Sequence, residues 1–308
     1  MHIRIKKKKM LVALYRKCIS PNLRAFIYKL FLGDFLVIIR NPKHWIKHKW
    51  YKIYYSIVTP KTEKEQAYKA WSKTRSCLTP YPYLWLGEYE QKFIDVHVDM
   101  ENSLPFVMHH GKKLYFGRDM IDDIPAMYKG LLVEQDERSA HRYVVSYSEL
   151  TDKVLLDIGA AEAIFALDTI EYVNHAYLFE CDERWLEALK ATFAPWKEKV
   201  TIVRKYVSDI NDENSVTLDF FFSEKQTDDL FLKMDIEGNE RKALEGAKKL
   251  LRKAKNISGS VCIYHLHDDK NIIQKLLDDF SFITEIQSGY LIWGEEFRSA
   301  ILRFRQKQ

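Results

Sequence analysis

The sequence predicts an α/β fold built on a mostly parallel sheet with an antiparallel edge strand, and three observations carry that prediction. From Val154 onward, short apolar runs alternate with stretches whose apolar residues recur at helical spacing. The run Val154-Leu155-Leu156-Asp157-Ile158 passes through Gly159 straight into a helical pattern, which is how a strand, a tight turn and a helix start read in sequence. The chain then closes on short apolar runs with hairpin-like spacing, and such a pair adds an antiparallel edge to a parallel sheet.

Taken in order, residues 1–58 form a basic, aromatic, helical extension. They hold fourteen Lys or Arg against the single acid Asp34, which leaves 34 basic and 42 acidic residues for the remainder. Lys6 to Lys9 precede an apolar patch too short for a signal peptide, and residues 23–39 are interrupted by Arg24, Lys29, Gly33 and Asp34, so they do not make a spanning helix. Residues 41–57 mix Trp45, Trp50, Tyr51, Tyr54 and Tyr55 with histidines and lysines. That mixture suits the headgroup region of an anionic membrane, where each basic residue adds roughly 1 kcal/mol. It equally suits a basic helical extension packed on the main domain or on a partner. No recognition motif supports nucleic acid.

Residues 59–150 read as a helical and hairpin cap. Thr59-Pro60 marks a linker, a polar helix follows over residues 63–76, and Thr79-Pro80-Tyr81-Pro82-Tyr83 breaks the chain again. Two runs about His109-His110-Gly111 read as a small hairpin. Residues 134–143 carry ionisable groups of both signs, a pattern that fits a solvated loop or the rim of an active site.

Residues 151–308 then form the main domain. Helices are predicted near Arg184–Phe193, from Asn239 through Leu251 and around Ile272–Phe280. The intervening strands are 200–203, 230–234 and 260–264, and strands near 283–287, 290–293 and 300–304 end the chain. Four cysteines (Cys18, Cys77, Cys181, Cys262) lack C-x-x-C spacing, so neither a zinc site nor a disulfide framework is indicated, and a reducing, cytoplasmic setting fits best.

In an open sheet of this kind ligands bind beyond the carboxyl ends of the strands. Here those ends carry Asp157, Glu180, Ser208-Asp209, Asp235 with Glu237, and His265 with His267. Gly159 lets the backbone approach a ligand, and the next helix offers free N–H groups. Glu180 stands where an acid can accept hydrogen bonds from both ribose hydroxyls. Ala161 and Ala163 occupy the places of the further glycines of a pyrophosphate cradle, so pyrophosphate is disfavoured while adenosine without phosphates, as in S-adenosylmethionine (SAM), is compatible.

Leu156-Asp157-Ile158-Gly159-Ala160-Ala161-Glu162, then Phe179-Glu180, then Thr217-Leu218-Asp219-Phe220 and Leu232-Lys233-Met234-Asp235-Ile236-Glu237-Gly238-Asn239-Glu240 together resemble the ordered motifs of the FkbM family of SAM-dependent methyltransferases. The resemblance covers roughly residues 150–305. It implies a Rossmann-like class I methyltransferase fold, SAM as methyl donor, and O-methylation of a glycan, lipid-linked glycan or other hydroxyl-bearing natural product. By position it places Asp157, Gly159 and Glu162 along the methionine part of SAM, Glu180 at its ribose, Ser208-Asp209 at the adenine edge and Asp235 facing the methyl group, with Ala160 of the same turn also among the cofactor-binding residues. Ala163 departs from the family's glycine.

A sugar hydroxyl must lose its proton during methyl transfer, and Asp235 and His265, with His267 next, are the candidate acceptors. Asp235, Glu237 and a histidine are an alternative holder for a divalent cation that orients the acceptor. Two further readings use the same residues: a nucleotide-sugar- or NAD-binding enzyme, and a catalytically silent scaffold in a polysaccharide-assembly complex. The leading expectation is a cytoplasmic O-methyltransferase, peripheral at the inner membrane surface.

Overall fold

The computed structural model describes residues 41–225 and 228–307, so the expectations for residues 1–40 lie outside the described residues. The chain divides once, into residues 1–79 and 80–308. In the first unit, α1 (Pro42–Ile57) packs on α2 (Glu63–Lys73). Pro42 opens α1 where a missing N–H is tolerated, and Thr62 with Glu65 closes a capping box at the start of α2. Trp71 is the buried anchor: His48 Nε2 lies 3.0 Å from its carbonyl oxygen, and the rings of Tyr51 and Tyr68 stand 4.4 Å apart nearby. No helix among the described residues is long and apolar enough to cross a membrane.

The second unit begins with α3 (Gly87–Glu90), the three antiparallel strands β1 (His97–Val98), β2 (Pro105–His109) and β3 (Lys112–Tyr115), and α4 (Ile124–Glu134). Then come β4 (Val154–Ile158), α5 (Ile164–Thr169), β5 (His175–Phe179), α6 (Glu183–Thr192), β6 (Val200–Val203), β7 (Tyr206–Val207), β8 (Ser215–Val216), α7 (Leu218–Phe221) and β9 (Leu230–Met234). The chain ends with α8 (Glu240–Glu245), α9 (Lys248–Lys253), β10 (Ser258–Cys262), α10 (Asp269–Asp279), β11 (Ile283–Ile286), β12 (Leu291–Trp293), β13 (Glu296–Arg298) and β14 (Ile301–Arg305). Leu86, Val107, Phe116 and Ile124 share one core with Leu155, Phe165 and Leu178, so the hairpin region and the sheet are a single unit.

Seven strands form the main sheet in the order β11-β14-β10-β9-β4-β5-β6. β10, β9, β4, β5 and β6 run parallel, and β14 is antiparallel to both its neighbours. The fold is therefore the Rossmann-like class I architecture that the sequence predicts. The antiparallel strand lies one place in from the edge, because the apolar residues Ile301, Leu302 and Phe304 are buried while outermost β11 leaves Ile283 and Glu285 exposed. Residues 291–293, predicted as part of the sheet, instead pair with β13 as a separate ribbon. The long helix expected after Asp235 is two, α8 and α9. They break at Gly246, where an added Cβ would stand 2.0 Å from the Ser208 carbonyl oxygen, so only glycine lets the Ser208 loop pack this closely.

The parallel strands β4 and β9 are adjacent, yet the chain proceeds from β4 to β5 and β6 on one side and from β9 to β10 on the other. Their carboxyl ends are thus the point where strand order reverses, and Ile158 lies opposite Met234 there. Everything that follows hangs on the two turns that leave those strands.

Candidate active site

The turn after β4 is built without slack. Gly159 has φ +77, and a Cβ there would lie 1.9 Å from the Asp235 carbonyl oxygen, so this residue has to be glycine. Ala161 and Ala163 also take left-handed conformations, at φ 47 and 59. The Ala161 N–H donates to Glu180 Oε2 at 2.8 Å, and the Asp182 N–H donates to Glu180 Oε1 at 2.7 Å. Each oxygen keeps a further lone pair for a ligand. Beneath the turn, Lys233 of β9 meets Asp157 Oδ1 at 2.9 Å and donates to the Gly159 carbonyl. Burial of Lys233 opposes its charge, but Asp157 and Asp235 outweigh it and hold the ammonium well charged.

The turn after β9 presents Asp235. Tyr143 donates to its Oδ2 at 2.9 Å, His141 Nε2 lies 3.7 Å from that oxygen, and His265 Nε2 lies 3.6 Å from Oδ1. Burial pushes against the charge, yet His141, Lys233 and His265 together hold the Asp235 carboxyl below the usual carboxylate range. Burial also lowers the basicity of His265, but Glu240 bonded to its Nδ1 at 2.8 Å, with Asp235 and Glu237, raises its pKa overall. The fully buried Glu240 in turn accepts from the Ile236 N–H, which fixes the loop that carries Asp235. His265 Nε2 is buried without a hydrogen-bond partner and stands 3.6 Å from both Asp235 Oδ1 and Glu237 Oε2.

A cavity of about 640 Å³ opens over these turns, within the size range of small-molecule sites. Among the residues singled out in the sequence, Gly159, Glu180, Ser208, Asp235 and Glu237 line it, with Ala161, Phe179 and Tyr206 among their neighbours. Asp157 is not at its surface: fully buried, it supports Lys233 below the turn. Ala160 and Glu162 are buried beside that turn, and Ala163 sits in the core, its methyl packed away from the cavity lining. Asp209 is exposed and accepts from Ser208 Oγ at 3.0 Å. His265 stands behind Asp235, whereas His267 is exposed and bonds Glu296 at 3.0 Å, away from the cavity lining.

Residues that sequence patterns do not single out complete the Asp235 surroundings. His141 and Tyr143 come from the charged segment 134–143, which is buried from Ser139 to Tyr143. The one sequence signal was that segment's position just ahead of β4. Tyr264 and the half-exposed Trp293 add an aromatic wall, with ring centroids 5.0 Å apart and Trp293 5.2 Å from His265. Burial, then Asp235, pushes the hydroxyls of Tyr143 and Tyr264 well above the ordinary tyrosine range, so both act as neutral donors.

The donor set suits SAM. The cavity offers an acid with spare lone pairs at Glu180, apolar Phe179 beside it, and an ionised carboxylate at Asp235, which attracts a cationic group.

Comparisons with known proteins agree with the motifs. A crystal structure of Methyltransferase FkbM from Methylobacillus flagellatus KT is similar at 19% identity and TM-score 0.40, over 61% of this chain and 60% of that one. This chain thus spans about three fifths of that protein's length. Precorrin-6y C5,15-methyltransferase from Geobacter metallireducens is similar at 13% identity and TM-score 0.36, over 53% and 85% of the two chains. Magnesium protoporphyrin IX methyltransferase from Synechocystis PCC 6803, solved with bound SAM, is similar at 13% identity and TM-score 0.33, over 51% and 72%. No curated protein matches the chain. Residues 157–290, from the aspartate of β4 to the loop before β12, match the Methyltransferase FkbM domain, and the chain therefore carries a methyltransferase domain of the FkbM type.

Proposed function

We propose that this chain transfers a methyl group from SAM to a hydroxyl of a glycan, a lipid-linked glycan or a related natural product, working in the cytoplasm at the inner face of the membrane. The observation that carries the reading is Asp235. It is an ionised carboxylate at the reversal point of the sheet, on the wall of a cavity shared with Glu180 and backed by His265, His141 and Tyr143. SAM supplies an electrophilic methyl on a sulfonium. The residues of this chain then have to hold an acceptor oxygen in line with that methyl and the sulfur, and take its proton. As the O–CH₃ bond forms and the C–S bond breaks, the hydroxyl proton passes to Asp235 or His265 and S-adenosylhomocysteine leaves. General-base help of this kind contributes about 10²–10⁴-fold.

Trp293 supports a sugar as acceptor. A half-exposed ring next to His265 offers a flat apolar face against which the C–H side of a pyranose packs while its hydroxyls point at Asp235. A second reading is favoured by the partnerless His265 Nε2. With Asp235 Oδ1 and Glu237 Oε2 it forms a donor set fit for a divalent cation, and Glu240 on Nδ1 is the usual outer carboxylate. A cation held there would lower the pKa of a bound hydroxyl.

Calorimetric titration with SAM, S-adenosylhomocysteine and NAD tests the cofactor. Micromolar binding of both adenosyl ligands, weakened at least tenfold in Glu180→Gln, is expected, and binding of NAD alone would remove the reading. His265→Ala is expected to abolish turnover with SAM affinity near normal. Turnover that survives EDTA selects the base mechanism, and turnover lost to EDTA and restored by a divalent cation selects the metal one.

A further inference from the structure

A second group of side chains converges on the far side of the β2–β3 hairpin. β2 and β3 are joined by the two residues His110 and Gly111, and His109 pairs with Lys112 across the turn. Both turn residues have positive φ, 48 and 81, as the tight hairpin turn requires, and histidine is among the side chains that tolerate it. Successive side chains of an extended strand point to opposite faces. The left-handed conformation at His110 undoes that alternation and brings its ring beside that of His109, with centroids 4.2 Å apart.

Facing them is Asp168, buried on α5, the helix that leaves the Gly159 turn. His109 Nε2 at 2.8 Å and His110 Nδ1 at 3.2 Å address the same oxygen, Oδ1. The three ligand atoms all lie within 4.8 Å of one another. Around this centre Tyr147 donates to Asp168 Oδ2 at 2.8 Å, and His109 Nδ1 lies 2.8 Å from the Tyr128 hydroxyl. Two imidazole nitrogens aimed at one carboxylate oxygen satisfy no packing need that a single histidine would not.

We propose that His109 Nε2, His110 Nδ1 and Asp168 Oδ1 form a binding site for a divalent transition-metal cation of the zinc type, completed by water, which fastens the hairpin to α5. Ligands about 2.1 Å from a tetrahedral ion stand ~3.4 Å apart, so the contacts of 2.8 and 3.2 Å need to widen by about 0.6 and 0.2 Å. A Tyr128 hydroxyl accepting from Nδ1–H leaves Nε2 as the free lone pair, and Tyr147 fixes the rotation of the carboxylate, both ordinary outer-shell roles. Two imidazoles with one carboxylate suit zinc, nickel or cobalt rather than calcium or magnesium. The His110 side chain is 68% exposed, which gives the ion a path from solvent. None of these residues belongs to the Asp235 site.

The test uses the full chain stripped of metal, titrated with Co²⁺ and read by its visible d–d absorption, then displaced by Zn²⁺. His110→Asn is the informative variant. It removes the imidazole and writes Asn-Gly, the preferred sequence for this turn, so the hairpin is kept. The wild type is expected to bind one equivalent in a tetrahedral environment, and His110→Asn and Asp168→Asn to bind at least 30-fold more weakly. His265→Ala, which disables the Asp235 donor set, should leave this signal in place. Equal binding by wild type and His110→Asn, absence of a tetrahedral cobalt signal in the wild type, or its loss in His265→Ala alone would each overturn the proposal and leave a hydrogen-bonded clasp. SAM binding plays no part in this readout, so its outcome is separate from that of the methyltransferase reading.

Discussion

At the scale of single residues the informative group is Glu162. It is buried beside the Gly159 turn, and burial, helped by Glu134, pushes its carboxyl up to about 8 from 4.5, against a bond from its own backbone N–H. In the unfolded chain it ionises near the lower value, so between the two the folded chain binds more protons and stability falls as pH rises. Glu162→Gln removes that loss. Its unfolding free energy is expected to match the wild type near pH 4.5 and to exceed it by on the order of 3 to 5 kcal/mol above pH 8, taking about 1.4 kcal/mol per pKa unit. Denaturant melts at both pH values check this, and a gap that does not grow with pH would count against it. Ala163, where the resemblance expects glycine, has its methyl packed in the core and away from the cavity lining.

Among the elements, the β12–β13 ribbon matters most for function because it is the one that brings Trp293 to His265. Trp293→Ala is expected to raise the acceptor KM by about tenfold while the SAM dissociation constant stays within twofold, since the ring is not among the residues that line the cavity with Glu180. Equal changes in both constants would show that the ribbon supports the cofactor turn instead. The ribbon was hard to read in sequence because Leu291 to Trp293 is as apolar as a sheet strand. What excludes it from the main sheet is the neighbouring β14, whose buried residues claim the place beside β10. The α8–α9 break has a similar origin. Helical spacing runs on through Ala247, and only the approach of the Ser208 loop to Gly246 ends it.

At the scale of the whole molecule, α1 belongs to the described part of the basic first fifth of the chain. Ile46, Trp50, Ile53 and Ile57 recur at helical spacing and are all exposed, flanked by Lys43, Lys47, Lys49 and Lys52, while the opposite side holds His48 and Tyr55 against α2. An exposed apolar stripe bordered by lysines suits the interface of an anionic bilayer. Replacing Trp50, Ile53 and Ile57 together by Glu is expected to cut co-sedimentation with phosphatidylserine vesicles at least tenfold without altering the circular dichroism. Undiminished sedimentation would end the membrane proposal.

The sequence by itself determined the α/β class, the alternation from Val154, the glycine turn, the acid at the end of β5 and the acid after β9. These are local facts, because a strand's apolar run and the residue that ends it are neighbours in the chain. It could not determine which strand-end residues share a cavity. That depends on the order β11-β14-β10-β9-β4-β5-β6, which buries Asp157 beneath the turn, sends His267 to the surface and leaves Asp235 at the reversal point. Nor could it place His141, Tyr143 and Trp293 around Asp235, or His109 and His110 against Asp168, for these partners are 58 to 94 residues apart and meet only through packing. Strand order and side-chain convergence follow from which apolar faces bury each other, and that is a property of the assembled core.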